Sequence, residues 1–115
     1  MRLVDRKTFL SLPSGTVYAY GRPHAYSGWQ VKLDTCPNGR DWLFDDLGYG
    51  ALDNESTGDF VDKMDAMLEK GASFPMEFHQ TDRDGCFSED DLYVIMERAD
   101  IHQLIERLRE CLQPC

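Results

Sequence analysis

The densest run of metal-type ligands in the chain is Asp82-Arg83-Asp84-Gly85-Cys86-Phe87-Ser88-Glu89-Asp90-Asp91. With Gly85 at the sixth position of a calcium loop, Asp82 and Asp84 fall at the third and fifth. Cys86 then supplies the seventh-position carbonyl, and Ser88 and Asp91 take the ninth and twelfth places. Two departures weaken the match. Gln80 stands at the first position, and Asp91 lacks the reach of a bidentate glutamate. The preceding Phe74-Pro75-Met76-Glu77-Phe78 does not read as an entering helix. A tight turn, with acidic residues at the start of a helical turn, explains the segment better. No metal and no cofactor is expected.

Catalysis finds little foothold. The histidines are His24, His79 and His102, and no GxSxG, HExxH, phosphate-loop or dinucleotide fingerprint is present. Cys36 precedes Pro37 with no base beside it to form a thiolate. The one place for an unrecognised enzyme site is His24 with Tyr26, near the long segment Asp46 to Thr57. A non-enzyme is the expectation, with that site as the alternative. The four cysteines, Cys36, Cys86, Cys111 and Cys115, form no CxxC pair. An even count allows two disulfides, but Met1 to Phe9 carries no apolar signal sequence. Free thiols in a reducing cytoplasm are expected. Cys111 and Cys115 would share a helix face if the helix ran that far, but His102 lies too far back to complete a zinc site.

Charge says more about partners. The 115 residues hold 21 acidic and 12 basic side chains, a net charge of -9. Between 41 and 69, nine carboxylates face only Lys63, leaving -8. Such a field repels nucleic acid and anionic membranes and attracts basic surfaces. No run of about 18 apolar residues is present to span a membrane. The candidate binding face is Asp59, Asp62, Asp65 and Glu69, with Asp45 and Asp46. Tyr18, Tyr20 and Tyr26 are candidate aromatic contacts, with Tyr18 and Tyr20 together on an outer sheet face. The plainer alternatives are a solubilising acidic surface and a core built from large rings.

These groups must be positioned by local structure. Asp5 caps a short helix to Leu12, and Pro13-Ser14-Gly15 turns the chain. Thr16 to Tyr20 reads as a strand. A second runs from Gly28 to Leu33, with Trp29, Val31 and Leu33 on one side and Gln30, Lys32 and Asp34 on the other. Pro37-Asn38-Gly39 turns into a third strand, Asp41 to Asp45. Ser56 or Thr57 caps a helix over Gly58 to Lys70, with Phe60, Met64, Met67 and Leu68 at helical spacing and Gly71 as its stop. Ser73 to His79 is extended, and Pro75 marks an edge. Tyr93, Val94 and Ile95 favour a strand from Leu92 to Glu97 over a helix. A last helix runs from Ile101 to Cys111, with the apolar stripe Ile101, Leu104, Ile105, Leu108 and Leu112.

The fold class is therefore α+β. An antiparallel sheet of four to five strands has about two helices on one face, in a single domain over 1–115. An edge strand also leaves room for a homodimer, or a homo-oligomeric structural protein, since Pro75 guards at most one edge.

The opening Leu3-Val4-Asp5-Arg6-Lys7-Thr8-Phe9-Leu10-Ser11-Leu12-Pro13-Ser14-Gly15-Thr16-Val17-Tyr18 resembles the start of small bacteriophage and prophage proteins. Arg83-Asp84-Gly85-Cys86-Phe87 and Leu92-Tyr93-Val94 carry the same likeness. The resemblance covers under a third of the chain and brings no catalytic motif. It implies a bacterial cytoplasm and an accessory role, such as an inhibitor or nucleic-acid mimic that occupies a host protein's DNA-binding cleft.

Overall fold

The computed structural model describes residues 1–22, 25–48 and 51–113. The elements run β1 (Arg2–Asp5), α1 (Arg6–Leu10), β2 (Thr16–Arg22), β3 (Ala25–Tyr26), β4 (Gln30–Thr35), β5 (Trp42–Asp46), α2 (Thr57–Lys70), β6 (Thr81–Asp84), β7 (Leu92–Ile95) and α3 (Arg98–Cys111). Six strands are hydrogen-bonded in the order β1-β7-β2-β4-β5-β6, and the two-residue β3 pairs with β2 off this path. The described pairings are antiparallel. The α+β class holds, but the sheet is larger than the four to five strands expected. The additions are β1, too short to show alternation, and β6, which is Thr-Asp-Arg-Asp. The sheet ends on β1 and β6, so Pro75 guards neither edge. Ser73 to His79 forms no strand and meets Leu52 only through an isolated bridge at Met76.

Local chemistry explains the punctuation. Asp5 accepts from the Thr8 amide at 2.8 Å and so caps α1. In the β4–β5 turn, the Asn38 side-chain oxygen takes the amides of Arg40 and Asp41 at 2.9 and 3.1 Å. Gly39 there has φ 70°, a left-handed conformation that suits glycine. Ser56 Oγ accepts from the Asp59 amide at 3.1 Å and starts α2, and Gly71 at φ 64° ends it. At α3 the Glu97 amide donates to Asp100 at 2.8 Å, and the Met1 ammonium donates to the same carboxylate at 2.7 Å.

One sheet face carries the core. Register places Tyr18 and Tyr20 opposite Ile95 and Tyr93, and Lys32 opposite Phe44. Phe9 drops from α1 onto this face, fully buried, stacked on Tyr93 at 4.1 Å and edge-on to Trp42 at 5.0 Å. Alternation in β4 does not sort by polarity as expected: Lys32 faces inward, Gln30, Val31 and Leu33 are partly buried, and Asp34 is exposed. Lys32 is buried and donates to the Leu12 and Leu33 carbonyls, each at 3.0 Å. Its burial pulls the ammonium pKa down.

The expected helical cover is a second correction. Only the short α1 packs substantially on the sheet, against β1 and β7. Neither α2 nor α3 buries a single residue. The chain is correspondingly extended, with a radius of gyration of 16.2 Å. A compact domain of this length would have about 13 Å.

Candidate interaction surface

The acidic residues separate into two groups. Asp62, Asp65 and Glu69 lie three and four residues apart along α2, all exposed. None has a hydrogen-bond or ion-pair partner among the described residues. Asp59, expected beside them, is partly buried and does structural work. It accepts from the Glu55 amide at 2.9 Å and pairs with Lys63 at 3.2 Å. Those two partners, the backbone amide first, hold its carboxyl below the usual range. Lys63 also donates to the Asp53 carbonyl at 2.6 Å and stands 5.6 Å from the Phe74 ring centre. These contacts tie one side of α2 to the loop beneath it.

Asp45 and Asp46 do not share that face. Asp45 is buried and accepts from Thr81 Oγ1 at 2.8 Å, with His79 Nδ1 at 3.9 Å. That burial corrects its place on an exposed acidic surface. Asp46 accepts from the Gly48 amide at 2.9 Å and lines an open cleft of about 550 Å³. Gln30 and Phe44 form part of the floor, and Glu55, Ser56, Gln80 and Asp82 stand around it. Asp46, Glu55 and Asp82 thus bring three carboxylates to one depression at the start of α2. The Asn54 amide donates to Gln80 Oε1 at 3.0 Å and holds the rim. Glu55 is absent from the residues expected of the acidic face, and Asp82 is expected only as a calcium-loop ligand. The signals were there: Glu55 precedes a helix cap, and Asp82 lies two residues from Asp84 on a short strand beside β5.

The tyrosine expectation divides as well. Tyr18 is fully buried, accepts from Trp42 Nε1 at 2.8 Å and donates to Gln30 Oε1 at 2.6 Å. Tyr20 is partly buried against the same core and donates to Asp84. Neither stands on an outer face, which corrects the outward tyrosine pair. Tyr26 is exposed, with Trp29 at 5.3 Å. His24, the other half of the expected enzyme site, lies outside the described residues, as does Tyr49.

The calcium-loop residues are drawn apart. Asp82 is opposite Phe44 in the β5–β6 ladder, and Asp84 serves Tyr20 and the Cys86 amide. The Ser88 amide donates to Asp91 at 2.8 Å, which makes that pair a turn. Among the described residues no three His, Cys, Asp or Glu side chains converge to hold a metal. Cys36, Cys86 and Cys111 are free thiols. No helix among the described residues is long and apolar enough to cross a membrane.

The surface is therefore an acidic cleft beside a helix whose outer row is unpaired carboxylate. Such a surface can accept guanidinium or ammonium groups through charge-assisted hydrogen bonds. No protein-family model, no curated protein and no solved structure matches this chain.

Proposed function

We propose that this chain is a non-enzymatic acidic interaction protein that binds a basic protein surface. In this reading it acts in the bacterial cytoplasm as a phage-type inhibitor, or as a nucleic-acid mimic, on a nucleic-acid-binding host protein. The observation that carries the reading is the row Asp62, Asp65 and Glu69, exposed and unpaired, leading away from a cleft that holds Asp46, Glu55 and Asp82. An arginine side chain entering the cleft would meet carboxylates and amide oxygens. Lysines or arginines along a partner groove would meet the α2 row. Contacts of this kind steer association and weaken with salt.

The test is affinity capture from bacterial lysate at low and moderate salt, read by mass spectrometry. The immobilised proteins are the native chain, D62N/D65N/E69Q and E55Q/D82N. The expected result is a basic, nucleic-acid-binding protein held at low salt and released as salt rises, with weaker capture by both variants. A partner captured equally by all three proteins would refute the electrostatic reading.

A further inference from the structure

From Ile101 onward, α3 is the most weakly covered element of the chain. Every residue from His102 to Gln113 is exposed, although the helix carries an apolar stripe. Leu104 and Ile105 are 40% and 41% exposed, and Leu108 and Leu112 are 56% and 85% exposed. The outer edge of α2 repeats the pattern with Val61, Met64 and Leu68, at 49%, 47% and 84%. Within one chain the two helices make no substantial contact with each other or with the sheet. Two amphipathic helices with open apolar faces are unusual in a domain that has a packed aromatic core elsewhere.

The charges bordering the two faces are opposite. At helical spacing, Arg98 and Arg109 flank the α3 stripe on one side, and Arg107 lies on the other beside Asp100, whose carboxylate accepts from the Met1 ammonium. Glu106 and Glu110 lie on the back of the helix. Arg109 and Arg107 reach them through exposed pairs at 2.5 and 2.8 Å, which hold little free energy. On α2 the free edge of the apolar face is bordered by Asp65 and then Glu69, which have no partner. Thus α2 offers an apolar row with an acidic border, and α3 an apolar row with a basic border on the Arg98 and Arg109 side.

We propose that the occupant of these faces is a second copy of this chain, with α2 of one protomer packed on α3 of the other. Reciprocal exchange covers both open faces in each copy and closes a two-fold dimer. It also sets arginines against carboxylates in a protein whose net charge of -9 otherwise drives copies apart. The contact shares Asp65 and Glu69 with the acidic surface proposed above. Its test uses the protein alone, so it stands or falls separately from partner capture.

Sedimentation velocity over a dilution series reads the outcome. The native chain should sediment as a dimer that dissociates on dilution. Leu108→Asp, placed on an exposed helix outside the core, should give monomer with unchanged circular dichroism of the fold. R107E/R109E and D65K/E69K should each weaken the dimer at least about tenfold. Combining the four changes should restore it, a result that simple loss of folding cannot produce. A native chain that is monomeric throughout would overturn the proposal. So would a dimer untouched by L108D, or charge reversals that fail to rescue one another.

Discussion

Raising the pH past 10 should unfold this protein over a narrow interval, because three tyrosines share its core. Tyr18 and Tyr93 are fully buried, and Tyr20 is partly buried against them. Burial is the largest cause raising each phenol pKa above its ordinary value near 10. For Tyr20 the hydrogen bond to Asp84 adds to it, and for Tyr18 the Trp42 donor partly opposes it. Below pH 10 both folded and unfolded chains keep these protons, and stability is unaffected. Above pH 10 the unfolded chain ionises first, so the folded state binds more protons and stability falls. Each tyrosine contributes about 1.4 kcal/mol per pH unit in that window. Three together give about 4 kcal/mol per unit, against about 5–15 kcal/mol for a typical domain. Lys32 acts with the opposite sign. Its lowered pKa makes stability rise with pH until the unfolded lysine has also lost its proton near 10.4. It therefore offsets at most one tyrosine at the start of the window and none afterwards. The assay is tyrosinate absorbance and far-ultraviolet circular dichroism on the same pH series. Ionisation of the buried phenols should coincide with loss of dichroism. Tyr18→Phe should reduce the pH slope by about a third. At neutral pH it should cost about 1–3 kcal/mol, because Trp42 Nε1 loses its acceptor. Gradual ionisation of these tyrosines with the fold intact, or an unchanged slope in Tyr18→Phe, would refute the reasoning.

Phe9→Ala removes the one helical ring in the aromatic core and should cost about 3–5 kcal/mol in urea denaturation. A loss below about 1 kcal/mol would mean that the strands' own rings hold the core without α1. Arg6→Met should cost about 2 kcal/mol, since the guanidinium lies 3.7 Å from the Phe87 ring centre and donates to the Arg40 carbonyl at 2.7 Å. Arg6→Lys is the control. A lysine that restored full stability would show that charge alone, without the planar fork, is what the site needs.

The parts of the fold legible in the sequence are those with a local cause. Ser56 and Gly71 bound α2 because a cap and a left-handed stop act within a few residues. Asn38-Gly39 sets the β4–β5 hairpin for the same reason. Tyr93, Val94 and Ile95 form a strand because β-branched and aromatic side chains suit a pleated surface. The misses are non-local. Arg2–Asp5 and Thr81–Asp84 become strands only because β7 and β5 offer them open edges. Asp82 and Asp84 look like loop ligands by composition, but the ladder fixes them in a sheet. In the candidate surface, charge density located Asp62, Asp65 and Glu69. Composition could not separate them from Asp45, which Thr81 and burial remove from the surface.

Helical periodicity misled in a more informative way. A stripe such as Leu104, Ile105 and Leu108 says that a helix has an apolar face, not what will cover it. The default partner is the chain's own sheet. Here that position is already filled. Tyr18, Trp42 and Tyr93 from the strands close around Phe9 from α1, and Lys32 completes the layer through its carbonyl contacts. The largest rings of that core are therefore fully buried without help from α2 or α3. Their stripes stay open while the buried ring cluster forms without them. It follows that truncating α3 side chains should leave the monomer's stability nearly unchanged, whereas a stripe that served the fold would make the same changes costly. That difference separates a helix kept for association from one kept for folding.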